Sequence, residues 1–307
     1  TIRGITFFRE VIRLEKHYNR RNIVIQNALQ TNGYLINAEW CRFLHENHFL
    51  VGLSVDGIQQ IHDYYRRDSH GNGTYEQVCQ AAKLFDEYAV EYNILTVVTE
   101  DIAENINEVY RSYKEKNWRY LQFIPCLEPL EANCGTMSYA LTPEIYGEFL
   151  KNLFDLWYQD FKQGDYTSIR QFENYIQICM GMLPEACDQG GICSIQHVVE
   201  ADGTVYPCDF YVMDEYCLGN YNDDFFIDFQ YKREQIGFIE RSKQLNPECK
   251  QCAFYRLCRG GCQRNRVWNN ELSCYDNYFC EGYRIFFAYA MQRLEEVAKE
   301  ISRGKKG

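Results

Sequence analysis

Apolar positions in the first 130 residues repeat at two alternating periods. Phe7, Phe8, Val11, Ile12 and Leu14 fall at helical spacing and predict a helix over 7–18. Ile23-Val24-Ile25, within 22–30, is a β-branched run that suits a strand buried on both faces, and it ends in polar Gln30-Thr31-Asn32-Gly33. A helix over about 38–46 leads to a strand at Phe49-Leu50-Val51-Gly52-Leu53. A helix from Thr74, read as its N-cap, to about Tyr88 precedes a strand centred on Ile94-Leu95-Thr96-Val97-Val98. A helix over 102–116 and a strand over 120–127 complete the series. Strict strand–helix alternation with short connections predicts parallel strands joined by helical crossovers, with the chemistry at the strands' C-terminal ends. The fold class expected is α/β, a partial parallel (β/α) barrel incomplete at its N-terminal edge.

Over 142–164 the period is purely helical. Ile145, Phe149, Leu153, Trp157 and Phe161 recur every fourth residue, and Leu150 and Phe154 widen the stripe, which reads as core packing. Thr142 can cap this helix, Pro143 fits its first turn and Gly164 can end it. After Cys187 the texture changes to turns and thiols, which divides the chain into 1–186 and 187–307. Within the second part, 198–206 predicts a hairpin around Asp202-Gly203, and 283–301 predicts a final helix that docks through Phe286, Phe287, Ala290, Leu294 and Val297.

Charge and composition narrow the function. The formal net charge is -11 and no basic run exceeds two residues, as at Lys305-Lys306, so nucleic acid is not expected as the main ligand. No apolar run approaches a membrane span, no secretory pattern opens the chain, and no dinucleotide or phosphate-loop fingerprint occurs. Fifteen cysteines, an odd number clustered late, suggest metal-bound thiolates in a reducing cytoplasm rather than a secreted disulfide framework. The chain begins at Thr1 and enters helix-like sequence at once, so a preceding N-terminal segment of a longer protein is expected.

The thiols carry the chemistry. Cys249, Cys252, Cys258 and Cys262 follow C-x2-C-x5-C-x3-C spacing, with Gly260-Gly261 before the last. A loop wrapped round a metal centre turns such side chains inward, and the glycines let the backbone approach closely. Cys187, Cys193 and Cys208 form a second group, and Cys280 follows the first. Eight thiols suit two four-ligand sites, but the earlier group has only three, so one ligand must cross from the later group. Zinc and [4Fe–4S] both accept four thiolates; a single CxxC, where zinc ribbons pair two, favours iron–sulfur. The competing reading is buried structural or disulfide cysteine.

These cysteines resemble the SPASM domain of radical S-adenosylmethionine enzymes. VVEADGTVYPCDFY, LSVDG, QTNG and QFIPCLEPL resemble, more narrowly, the anaerobic sulfatase-maturating enzymes. The resemblance implies one auxiliary [4Fe–4S] cluster on Cys187, Cys193, Cys208 and Cys262, and another on Cys249, Cys252, Cys258 and Cys280. It implies S-adenosyl-L-methionine and a third [4Fe–4S] cluster in the full-length protein, a sulfatase polypeptide as substrate, and an electron donor such as flavodoxin or ferredoxin. The implied reaction converts a cysteine or serine to formylglycine. A deoxyadenosyl radical removes a hydrogen atom from Cβ; an electron and a proton must then leave. Asp209, directly after Cys208, matches the proton acceptor. Ser54, Arg66 and Leu127 match positions that contact the cofactor, with Arg66 suited to a carboxylate. His62 and His197 read as structural.

The radical-generating C-x3-C-x2-C and its Gly-Gly-Glu-Pro companion do not occur in these residues, so the isolated chain is expected to be inactive. Cys41, Cys79, Cys126, Cys134, Cys179, Cys217 and Cys274 read as incidental thiols, although Cys274 lies near enough to Cys280 in sequence to substitute for it. Two other readings compete: another SPASM peptide-modifying radical enzyme, and a non-catalytic cluster- or peptide-binding protein. An in-frame C-x3-C-x2-C upstream of Thr1 separates the enzymes from the last of these.

Overall fold

The computed structural model describes residues 3–130 and 134–304. Two compact units divide it: Thr1–Leu141 with Phe149–Arg170, and Thr142–Glu148 with Gln171–Gly307.

The first unit alternates as the apolar period predicts. Helix α1 (Ile5–Tyr18) is followed by β1 (Ala28–Thr31), α2 (Ala38–Glu46), β2 (Leu50–Ser54), α3 (Gln59–Tyr65) and α4 (Tyr75–Glu87). Then come β3 (Tyr92–Val98), α5 (Glu100–Glu104), α6 (Ile106–Glu115), β4 (Tyr120–Pro125), α7 (Pro143–Gln163) and β5 (Ser168–Ile169). All strand pairs are parallel, in the order β1-β2-β3-β4-β5. Neighbours in sequence are thus neighbours in the sheet, the winding of a (β/α) barrel rather than of a doubly wound sheet, whose order reverses. The sheet is open, with β1 and β5 at its edges. Leu53, Ile94, Val98, Leu121 and Phe123 of the sheet are buried, as are Val78, Phe85, Ile102 and Val109 of the helices.

Three local readings are corrected. Ile23, Val24 and Ile25 are not strand; they are 64%, 83% and 45% exposed. Asn19 brackets Ile23 from both sides, accepting its N–H at 2.8 Å and donating to its carbonyl at 2.7 Å, and pairing begins only at Ala28. Thr74 does stand at the N-cap of α4, but its side chain makes no cap hydrogen bond. Its hydroxyl is already committed to the Arg66 carbonyl, and Asp63 accepts the Tyr75 N–H instead. The expected helix over 102–116 is two, α5 and α6, divided at Asn105. Thr142 does accept the Ile145 N–H at 3.2 Å, and the α7 stripe is core, with Phe149, Leu150, Leu153, Phe154 and Trp157 all buried.

In the second unit α8 (Arg170–Cys179) and the helix Cys280–Gly304 bury Phe172, Tyr175, Phe286 and Phe287 against one another. Gly147 and Gly282 let backbones touch: a Cβ on Gly147 would stand 2.9 Å from the Gly282 Cα, and one on Gly282 2.2 Å from the Pro143 carbonyl. This contact ties residues 142–148 to the second unit. The hairpin Val198–Val199 with Thr204–Tyr206 forms as expected, with Gly203 at φ 92, and gains a third strand at Gly219–Asn220. A further hairpin, Arg266–Asn269 with Cys274–Asn277, leads into the last helix. No helix among the described residues is long and apolar enough to cross a membrane.

Candidate functional site

A cleft of about 630 Å³ opens at the C-terminal ends of β1 and β2, lined by Gln30, Thr31, Asn32, Ser54, Arg66 and Thr74 among others. Ser54 ends β2 and is buried, and its hydroxyl has no protein partner among the described residues. Arg66 lies one residue beyond α3 in extended backbone. Its Nε donates to Asp56 at 2.5 Å, which leaves Nη1 available. The loop between Ser54 and α3 is pinned from several sides. Asp56 N–H donates to His62 Nδ1 at 3.1 Å, Gly57 N–H to the Tyr113 hydroxyl at 2.8 Å, and Val97 N–H to Asp56 Oδ1 at 2.9 Å. His62 is therefore the Nε2–H tautomer facing Thr74, and burial lowers its pKa to about 4. Leu127 lies two residues past β4, on the same C-terminal side of the sheet, but does not line this cleft. Asp56, the buried carboxylate that aims Arg66, is a candidate site residue the pattern alone did not single out; its signal is the polar turn after a buried strand.

The eight predicted ligands all lie in the second unit, in two groups. Cys187, Cys193, Cys208 and Cys262 line one cavity together with Asp188, Asp209 and Gln263. Burial pushes Cys262 up to about 12, with Asp188, Cys187 and Cys193 adding to the rise. Cys208 also rises to about 12, from burial first and then from Asp209 and Cys262. In the other group burial raises Cys258 to about 12, and Cys280, Cys249 and Cys252 reinforce it. Cys249 and Cys280 move in the same direction, again from burial first. Thiols that raise each other's pKa in this way form a donor set suited to a cationic centre.

Local backbone explains the crossing of Cys262. Arg259, Gly260 and Gly261 are three successive left-handed residues, at φ 50, 81 and 62, and they turn the chain between Cys258 and Cys262. Gly191, in the Cys187–Cys193 loop, packs so closely that a Cβ there would lie 2.1 Å from the Arg259 carbonyl. This approach delivers Cys262 to the earlier group, while Cys258 stays with the later one. Backbone N–H groups point at sulfur: Arg264 N–H lies 3.4 Å from Cys262 Sγ, and Phe210 and Gly260 serve Cys208 and Cys258. Ser242 accepts the Cys193 N–H at 3.0 Å.

Asp209 opens a short 3-10 turn, exposed at the cavity's edge, and accepts from the Cys208 thiol at 3.3 Å. Cys274 is buried with Asp276 and Glu248 as its charged neighbours, whereas Cys280 has Cys252 among its own. His197 packs against Phe226 with its ring tilted and meets the Tyr221 hydroxyl, a structural setting. No three His, Cys, Asp or Glu among the described residues converge on a single metal ion. A cubane does not ask for that, since each of its four thiolates binds a different iron.

Comparison with known proteins adds the chemistry. Residues 191–253 match the SPASM iron–sulfur cluster-binding domain. The chain is 45% identical over 301 residues to the cysteine-type anaerobic sulfatase-maturating enzyme of Clostridium perfringens, covering 98% of this chain and 81% of that protein. It is 32% identical to the serine-type enzyme of Bacteroides thetaiotaomicron, covering 98% of this chain and 76% of that one. The structure of native anSMEcpe with bound AdoMet and Kp18Cys peptide superposes with a TM-score of 0.93 at 45% identity, covering 98% of this chain and 83% of that one.

Proposed function

The chain belongs to the anaerobic sulfatase-maturating enzymes, and from that premise we propose how its own residues share the work. The family's reaction is radical S-adenosylmethionine oxidation of a cysteine or serine in a sulfatase peptide to formylglycine, and it uses [4Fe–4S] clusters. The greater identity to cysteine-type relatives supports cysteine as the side chain oxidised here.

Cys187, Cys193, Cys208 and Cys262 would hold one auxiliary cluster, and Cys249, Cys252, Cys258 and Cys280 the other. Residues 187–307 are assigned to this cluster-binding domain and 1–186 to the barrel portion. When bound, S-adenosylmethionine would supply the hydrogen-abstracting radical, and the clusters on these thiols would supply an electron acceptor. Ser54 and Arg66 would hold the cofactor: the hydroxyl can contribute one hydrogen bond, and the guanidinium, oriented by Asp56, can take a carboxylate. Leu127, two residues past β4 at the same end of the sheet, is assigned a further contact to the cofactor. Asp209 receives the thiol proton as the carbon at Cβ reaches the thioaldehyde, and water then replaces the sulfur, leaving the aldehyde and releasing hydrogen sulfide. A flavodoxin or ferredoxin would deliver electrons in the cytoplasm, with no nucleic acid or membrane involved.

The observation that carries this reading is the cavity that gathers four thiols with Asp209 beside Cys208. Asp209→Asn in the full-length enzyme keeps the shape and much of the hydrogen bonding but loses the basic carboxylate. Aldehyde formation from a sulfatase-derived peptide should fall on the order of 10² to 10⁴-fold, while iron content and deoxyadenosine formation persist. An unchanged aldehyde rate removes Asp209 from the mechanism.

A further inference from the structure

Arg266 is buried at the start of the hairpin that leads to Cys280. Its guanidinium donates to four backbone carbonyls, those of Gly191 at 2.7 Å, Gly260 at 3.1 Å, Gly261 at 2.7 Å and Ser242. Each belongs to a stretch that carries or supports a ligand. Gly191 lies between Cys187 and Cys193, and Gly260 and Gly261 lie between Cys258 and Cys262. Ser242 accepts the Cys193 N–H.

No aspartate or glutamate forms an ion pair with Arg266 among the described residues. Burial disfavours its charge, and the ionisable groups that oppose this are Cys193, Cys262, Cys258 and Tyr211. Two of these thiols belong to one proposed ligand set and one to the other. A buried cation with carbonyls for hydrogen bonding and no carboxylate is costly to maintain unless other negative charge compensates it. Arginine suits such a place because it stays charged even when buried.

We infer that Arg266 is the shared counter-cation of the two auxiliary clusters and raises the reduction potential of both. The inference rests on the ligand sets proposed above. A four-thiolate cluster is net negative and gains one more negative charge when it accepts the substrate's electron. A fixed neighbouring cation therefore stabilises the reduced form more than the oxidised form. Arg266 itself exchanges no electron or proton. It is a positioning residue that acts through the clusters and clasps their loops together.

Arg266→Lys and Arg266→Gln, each made in the reconstituted full-length enzyme, separate the charge from the clasp. Lysine keeps the charge and loses the guanidinium fork; glutamine loses the charge. The readouts are iron per chain and the midpoints of the auxiliary clusters in a redox titration followed by electron paramagnetic resonance. Lysine should hold more iron or stay closer to the parent midpoints. Glutamine should lower the reduced-to-oxidised ratio at fixed potential by about tenfold or more, a shift of 59 mV for one electron, or shed iron that lysine retains. If glutamine performs no worse than lysine in both readouts, Arg266 is a clasp alone and the inference fails. The premise of two auxiliary clusters is tested separately by the parent's iron, about eight per chain in addition to the radical cluster.

Discussion

In the sheet unit, polar site residues extend from parallel strands of up to 7 residues, backed by helices with one buried face. In the cysteine-rich unit seven of the eight ligand thiols lie on turns, on the 4-residue helices Cys187–Gly190 and Tyr255–Cys258, and on the 3-10 segment Pro247–Gln251, and only Cys280 stands on a long helix, at its first residue. The apolar cluster beside its hairpin is only Val205, Leu218 and Phe229, with Ile236 packed on it. Ser54 and Arg66 are thus placed by backbone ladders and a hydrogen-bonded loop, whereas the ligand loops have little regular structure of their own. Where secondary structure is this short, bound metal becomes part of the folding energy.

The largest expected difference between the two regions follows from that contrast. Chelating the iron under anaerobic conditions should bring amide exchange over 187–279 close to unfolded rates, while 50–54, 92–98 and 120–125 keep their protection. Equal loss of protection in both regions would erase the distinction.

A smaller effect probes the sheet side. Arg66→Met should weaken S-adenosylmethionine binding to the full-length enzyme by roughly 10-fold to 100-fold, the worth of a hydrogen bond to a charged group. Equilibrium dialysis checks this, and unchanged affinity removes Arg66 from the cofactor site.

Smaller again is a pH effect confined to the sheet unit. His62 titrates near 4 when folded and near 6.5 when exposed. Below 6.5 the unfolded chain binds a proton that the folded one refuses, so stability falls as the pH drops toward 4, by at most about 1.4 kcal/mol per pH unit. His62→Asn should flatten that part of the denaturant-midpoint profile; an unaltered acid limb would contradict the assignment.

The two regions also differ in how far their sequence could be read. Helix α2 and the final helix carry a clear 3.6-residue period and were legible nearly to their ends. Ile23-Val24-Ile25 misled because β-branching reports a preference for strand, while strand formation needs a partner, and pairing starts at Ala28. The 2-residue β5 is too short to show a period. The hairpin Arg266–Asn269 with Cys274–Asn277 was missed because its strands are polar and thiol-bearing. In the cysteine-rich unit, spacing supplied the count of ligands and family resemblance their partition. The reason for the partition, the approach of Gly191 to the Arg259 carbonyl, is a long-range contact that no local pattern encodes. Asp56 and Arg266 stayed hidden for a related cause: a charged residue reads as surface until its burial is seen.

The central claim is that Cys262 serves with Cys187, Cys193 and Cys208, although it lies nearest in sequence to Cys258. Iron per chain in anaerobically reconstituted Cys208→Ala, Cys262→Ala and the double variant tests it directly. If both thiols hold one cluster, the double variant loses no more iron than the more depleted single variant, and about one four-iron cluster survives in the cysteine-rich unit. Additive loss, with both auxiliary clusters gone only in the double variant, would place Cys262 with Cys249, Cys252 and Cys258 and contradict the account.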